Sequence, residues 1–361
     1  MSDIETKEEA GNEIHPIFSP AQLIQLIPAD EDMLDWIRDN RQQAADIVQG
    51  KDDRLLVIVG PCSIHDIESA YEYAKWLQPL IQQYKNELHI VMRVYFEKPR
   101  TKIGWKGLIN DPFLDRSFDI DTGLNLARKL LVNLADIGVP AATELLDSII
   151  PQYIGDVISW GAIGARTVES QVHRELASGM QMPMGFKNRT DGNVKVAINA
   201  LVSAKYSHRF FSINKHGAPV LVETQGNKST HVILRGAKSR TNYSSDAIEE
   251  VVELLEENDL PPYVMVDCSH GNCEGDYKRQ LDVADNLSQQ ISAGSRAIIG
   301  AMLESNLVEG KQGLIGPSHL QYGKSITDAC INIEDTEKAL AKFASAVQSR
   351  RKARCRVGSR A

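Results

Sequence analysis

From residue 55 onward, short apolar runs alternate with longer stretches whose apolar positions recur three and four apart. The runs are LLVIV (55–59), HIVMRV (89–94), PAAT (140–143), DVISW (156–160), MGF (184–186), HVIL (231–234), YVMVD (263–267) and AIIGA (297–301). They are short and end in polar or glycine residues, so each reads as a buried strand. Between them, segments such as ESAYEYAKWLQPLIQQY, TGLNLARKLLVNLADIG and SDAIEEVVELLEEN read as helices, the last opening with Ser/Asp capping chemistry. Eight strands alternating with helices predict an α/β fold, a (β/α)8 TIM barrel.

Two regions depart from that alternation. Residues 1–50 carry Pro16, Pro20 and Pro28, then EDMLDWIRDNRQQAADIV, whose Met33, Trp36, Ile37, Ala44 and Ile47 fit an amphipathic helix; they predict an N-terminal extension ahead of a barrel over 51–350. Residues 209–230 predict an inserted β-hairpin with its turn at KHGAP, and residues 95–121 a long loop.

Composition narrows the class. With 42% hydrophobic and 24% charged residues the chain fits a globular protein with a large core, and no apolar run is long enough to span a membrane. The start, MSDIETKEEAGNEIHPIF, lacks an apolar signal core, and the five cysteines are odd in number and scattered, so a cytoplasmic protein with reduced thiols is expected. A net charge of −8 argues against nucleic-acid binding. The basic run RRKARCRVGSRA reads as a solvated C-terminal tail, assigned to 351–361.

A barrel of this type carries its active site on the loops after its strands. Those positions hold Arg93, Lys98, Arg100, Arg166, Lys187 and Arg235. Six cations converging on one mouth would repel one another, so they point to one or two anionic substrates bearing phosphate and carboxylate. Cys62, His270, Glu304 and Asp328 follow strands or close the barrel, and one thiol, one imidazole and two carboxylates suit a divalent manganese, iron, cobalt or zinc ion. No compact spacing announces that set, and buried Cys and capped His are common core residues. Cys268 reads as packing, and nothing requires Cys273 or Cys330 to bind metal. Trp105 and Lys106 either close over a substrate or pack against the rim.

The blocks GPCSIHD, YFEKPRT, GWKGLINDP, ATELLD, SWGAIGART, GFKN, HVILRG, DCSHGN, IIGAMLES and YGKSITDACI together resemble the 3-deoxy-D-arabino-heptulosonate 7-phosphate (DAHP) synthases, type I short enteric form, over about residues 14–350. The resemblance implies a transferase that condenses phosphoenolpyruvate with erythrose 4-phosphate and releases phosphate, at the start of the shikimate pathway. It implies Cys62, His270, Glu304 and Asp328 as metal ligands. Arg93, Arg166, Lys187, Arg235 and the backbone of Ala165 match phosphoenolpyruvate contacts, with Glu144 nearby, and Lys98, Pro99, Arg100 and Thr101 match erythrose 4-phosphate contacts. Catalytic roles fall to Lys98 as acid, its proton loosened by neighbouring cations, and to Glu144 as the group that orients water, alongside Cys62 and His270.

The resemblance also implies a homodimer or homotetramer, with feedback inhibition by an aromatic amino acid near the hairpin and a neighbouring subunit's extension. Pro151, Gln152, Gln181, Phe210 and Ser212 match that inhibitor site. Ser212 leans towards phenylalanine, whereas glycine there accompanies tyrosine sensitivity; Gln181 departs from the usual serine. Arg189 and Ala237 stand where glycine is usual, and Arg240 where proline is. Strain is expected at Arg189 if the glycine served a positive φ. Other readings are a related phosphoenolpyruvate–aldose phosphate synthase and a catalytically silent barrel that senses amino acids.

Overall fold

A computed structural model of the chain describes residues 14–358 except 315, 317 and 318, with side chains to residue 353 at the C-terminal end. Residues 1–13 of the expected N-terminal extension, the Cys355 side chain and residues 359–361 of the expected C-terminal tail lie outside the described residues.

Eight parallel strands close a barrel: β1 (Leu55–Gly60), β2 (Leu88–Arg93), β3 (Ala141–Glu144), β4 (Trp160–Ile163), β5 (Met184–Lys187), β8 (Thr230–Leu234), β9 (Val264–Asp267) and β10 (Ile298–Glu304). Between β5 and β8, β6 (Arg209–Ile213) and β7 (Pro219–Glu223) form the antiparallel hairpin. Its turn is closed by the Asn214 side chain, which accepts the backbone N–H of His216 and Ala218.

Strand alternation sorts the core into two layers. Leu55, Val57 and Val59 face outward into the helix-packed layer, while Leu56 and Ile58 face the barrel interior with Val91, Ala142, Ile233, Met265 and Met302. This period of two decides the chemistry at the mouth. Arg93, Glu144, Arg235, Asp267 and Glu304 each lie two residues beyond an inward apolar residue, so their side chains continue the interior column upward. The opposite mouth is plugged by α2 (Glu31–Val48), whose Ala44, Ile47 and Val48 join the interior cluster. Asp30 caps this helix by accepting the Met33 N–H at 2.8 Å.

Two expectations are corrected. The fourth strand begins at Trp160, where DVISW ends; residues 155–157 form a 3-10 turn instead. Arg41 explains the shift, because its guanidinium donates to the carbonyls of Gly155, Asp156 and Ile158 and holds that segment as a rim turn. The basic run at the C-terminus is helical as far as it is described and not a loose tail, since α10 (Ile333–Gly358) runs through it, with Lys352 and Ala353 exposed. Arg351 there pairs with Asp53, and Arg350 donates to the Ser295 and Asp53 carbonyls.

Candidate active site at the carboxyl end of the barrel

A cavity of about 130 Å³ opens at the carboxyl ends of the strands. Its lining includes Arg93, Lys98, Pro99, Arg100, Glu144, Ala165, Arg166, Lys187, Arg235, His270 and Asp328. All six cations singled out in the sequence therefore meet at one mouth. Thr101 is exposed and does not line it.

The cations are not equivalent. Arg93 is buried beneath the cavity, donating to Glu304 Oε1 at 3.0 Å and to the Cys62 carbonyl at 3.2 Å, with its guanidinium 3.5 Å from the Tyr95 ring centre. Burial opposes its charge, but Tyr95, Glu304 and Cys62 outweigh burial and hold its pKa above the ordinary value. Lys187 is likewise buried and pairs with Asp267 at 3.0 Å. Arg166 and Arg235 make no ion pair among the described residues. Burial lowers the Arg235 pKa, Asp267 opposes it and the Arg166 charge adds to the lowering, so an incoming anion would stabilise the Arg235 charge.

Sulfur and carboxylate converge below. The ligand atoms of Cys62, Glu304 and Asp328 all lie within 4.8 Å of one another. His270 stands at the edge of this group, its Nε2 3.9 Å from Glu304 Oε1 and its Nδ1 3.0 Å from Asp267 Oδ2. Because Nδ1 is engaged by Asp267 and by the Ser269 hydroxyl, Nε2 is the ring nitrogen left for a ligand. The donor set of thiol, imidazole and two carboxylates fits a borderline divalent transition metal ion. Three strand ends supply the first three donors. Asp328 is brought in by the segment after β10, where Cys330 and Gly310 exchange backbone hydrogen bonds and Ile331 N–H donates to the Glu304 carbonyl.

Charge and burial tune the cluster. Burial, with Glu304 and Asp328 adding to it, pushes the Cys62 thiol up to about 11, while Lys98 and Arg93 oppose. Lys98 Nζ donates to Cys62 Sγ and to its carbonyl, each at 3.2 Å. Here the sequence reading is corrected. Burial lowers the Lys98 pKa, but Cys62, Glu304 and Asp328 outweigh both it and Arg93, so the proton is held more tightly than in a free lysine.

Glycine at 164 makes room for Glu144. A Cβ there would meet Glu144 Oε1 at 2.3 Å, so the carboxylate packs directly over bare backbone. Gly236, at φ +67°, is held just as closely, since a Cβ would lie 2.7 Å from the Asn272 nitrogen.

Sequence reading missed several supporting groups. Asp267 was noted only as a residue at a strand end. Gln280, from α9 (Gln280–Ser292), clamps both backbone groups of Glu304, accepting its N–H and donating to its carbonyl. Asn188, Asn242 and Asn272, all buried, interlock the loops that carry Lys187, Arg235 and His270. A polar residue next to a strand end was their only signal, which a turn residue gives equally. Trp105 is buried with its indole N–H on the Asp111 carbonyl, so it packs; Lys106 is exposed, but its carbonyl accepts the Lys98 N–H.

The departures from the family pattern are harmless to backbone geometry. Arg189 is absent from the positive-φ residues, so the expected strain does not arise; it pairs with Glu169 and Asp191. Ala237 is buried, and Arg240 pairs with Glu250 at the surface.

The residues proposed for an inhibitor lie on a short helix, on the segment before β5 and on the hairpin. Pro151 and Gln152 lie in α5 (Pro151–Ile154), and Lys215 at the hairpin turn bonds the Gln152 carbonyl. The Lys215 carbonyl in turn accepts the Ala21 N–H from α1 (Pro20–Leu26). Gln181 accepts from Arg41 at 3.4 Å, and Phe210 pairs with Val222 and Ser212 with Val220 across the hairpin.

The DAHP synthetase I family matches residues 28–341. The chain belongs to the DAHP synthetase I family. As a member it is an enzyme, a 3-deoxy-7-phosphoheptulonate synthase of a metalloenzyme family. The Phe-sensitive phospho-2-dehydro-3-deoxyheptonate aldolase of Escherichia coli (strain K12) is 54% identical over 339 residues, covering 94% of this chain and 97% of that one. The Trp-sensitive enzyme of the same strain is 50% identical over 345 residues, covering 96% and 99%. The structure of the aldolase from Francisella tularensis SCHU S4 aligns at a TM-score of 0.92 with 48% identity, covering 95% of this chain and 99% of that chain. Among the described residues no helix is long and apolar enough to cross a membrane.

Proposed function

We propose that this DAHP synthase binds phosphoenolpyruvate through Arg93, Arg166, Lys187, Arg235 and the Ala165 backbone, and erythrose 4-phosphate through Lys98, Pro99, Arg100 and Thr101. The observation that carries this reading is the single cavity shared by cations and by His270 and Asp328. Thr101 has the weakest support, since it stands outside that lining.

Cys62, His270, Glu304 and Asp328 would hold one divalent ion, whose chemistry when bound is Lewis-acid polarisation of an aldehyde oxygen. Lys98 holds a proton at Nζ beside Cys62 and delivers it to the alkoxide oxygen left when the methylene carbon of phosphoenolpyruvate bonds to the aldehyde carbon. Glu144, packed over Gly164, orients the water that adds to the phosphate-bearing carbon, left cationic by the new carbon–carbon bond. Arg166, Lys187 and Arg235 stabilise the phosphate that leaves from the resulting hemiketal.

Regulation follows the same reading. An aromatic amino acid, phenylalanine by the Ser212 argument, occupies the region of Pro151, Gln152, Gln181, Phe210 and Ser212. Relatives named for Phe and for Trp sensitivity stand at similar identity, so the choice rests on Ser212. A homodimer or homotetramer is favoured by the exposed cross-strand pair Phe211 and Leu221 on the hairpin, and a cytoplasmic location by four buried free thiols.

The test is phosphate release by metal-stripped protein after manganese is restored. Release is expected only when both phosphoenolpyruvate and erythrose 4-phosphate are present, and its failure with that pair would reject the reading.

A further inference from the structure

Asp267 is completely buried; Oδ1 is hydrogen-bonded, while Oδ2 has close charge contacts without a well-directed hydrogen bond. Oδ1 accepts the Ser269 N–H at 3.0 Å and the Ser269 hydroxyl at 2.6 Å. Oδ2 lies 3.0 Å from Lys187 Nζ and 3.0 Å from His270 Nδ1. A buried carboxylate is retained only where such partners offset its loss of water. One oxygen thus bridges a proposed substrate cation and a proposed metal ligand.

We propose that Asp267 is a positioning residue that couples the two halves of the site, fixing His270 for the metal ion and Lys187 for phosphoenolpyruvate at once. This rests on the ligand assignments above. His270 also has its backbone at φ +58°, a conformation uncommon outside glycine, so the ring projects from a fixed turn. That turn is held by the Gly271 N–H on the Arg235 carbonyl and by Asn272, which donates to the carbonyls of Leu234 and Asp267. With backbone and Nδ1 both fixed, Nε2 has one direction left, towards Glu304.

Coupling has a direct consequence. A carboxylate on the far nitrogen raises the basicity of a ligating imidazole, and loss of such a partner costs roughly 10- to 100-fold in metal affinity. The same loss frees Lys187 from its only ion-pair partner among the described residues, so substrate binding falls with metal binding.

The experiment uses the full-length protein with Asp267→Asn, which keeps the shape and removes the charge. Free Mn2+ is titrated by electron paramagnetic resonance without substrate, and KM is measured for each substrate at saturating Mn2+. Mn2+ affinity is expected to fall roughly 10- to 100-fold, with KM for phosphoenolpyruvate rising and KM for erythrose 4-phosphate unchanged. Ser269→Ala removes the hydroxyl's 2.6 Å contacts to both Asp267 Oδ1 and His270 Nδ1; it should move both quantities in the same directions by less, and because Ser269 reaches Lys187 only through Asp267, its effect on KM for phosphoenolpyruvate decides the matter if Asp267→Asn does not fold. Weakening of one ligand without the other, or of neither, overturns the proposal. If the wild-type protein itself shows no manganese-dependent condensation, the failure lies with the functional reading instead.

Discussion

The Lys98 ammonium lies 3.2 Å from the Cys62 sulfur, tying the proposed acid to the proposed metal ligand. Lys98 lowers the Cys62 pKa, so removing it should drive that thiol above its value of about 11. A thiol must lose its proton to bind metal, and each unit of pKa at fixed pH weakens uptake about tenfold. Lys98→Met is therefore expected to lose turnover by at least about 100-fold and to shift Mn2+ binding to higher pH. Turnover and a pH series of metal titrations check both; turnover lost with metal binding unmoved would leave Lys98 as an acid alone.

Cys62→Ala addresses the ligand itself. Cys62 is buried beside two carboxylates, so the alanine variant leaves a small cavity costing a few kcal/mol at most and removes the only thiol in the cluster. It should stay folded by circular dichroism while losing bound metal and turnover. Full metal stoichiometry in the variant would strike Cys62 from the ligand set.

Gly164→Ala tests the seat of Glu144. The added methyl would meet Oε1 at 2.3 Å and push the carboxylate from its place. A loss of kcat of roughly 10- to 100-fold is expected, as for a misplaced catalytic group, with Mn2+ affinity unchanged. Unchanged kcat would show that the position of Glu144 does not matter to turnover.

The barrel was readable because its strands are short apolar runs separated by strongly periodic helices, a pattern that depends on local sequence. The cations could be found for the same reason, being charged residues where a buried strand ends. Arg41 was unreadable as the cause of the fourth strand's late start, since its carbonyl partners lie more than a hundred residues away. Lys98 was read with the wrong sign because sequence order lists its cationic neighbours but hides the anions folded against it. Asp267 and Gln280 look like ordinary polar residues until the closed barrel brings His270, Lys187 and Glu304 against them.

Acid sensitivity should come from the interior. His231 lies inside the barrel beside Trp160, and burial lowers its pKa to about 3; burial lowers that of His89 to about 4. The unfolded chain then takes up protons near the ordinary value of about 6.5 while the folded chain does not. Stability from these groups is complete above that pH and falls as pH drops towards 4 and 3. At pH 5 each contributes a loss of about 2 kcal/mol. Urea midpoints at pH 7 and pH 5 measure the loss, and His231→Phe, if it folds, should flatten the slope; an unchanged slope would place the acid sensitivity elsewhere.

Ser212 offers the sharpest test of regulation. On the hairpin it pairs with Val220, one position from the exposed Phe211, and its side chain is only partly buried. Replacing it with glycine removes a hydroxymethyl group where a larger phenol would need space. The wild-type enzyme is expected to be inhibited by phenylalanine more strongly than by tyrosine or tryptophan, and Ser212→Gly to gain tyrosine inhibition. The change should not alter KM for either substrate, because none of the cavity-lining residues belongs to the hairpin. Separate inhibition curves for the three amino acids decide it, and a wild-type enzyme inhibited by tyrosine alone would reject the assignment.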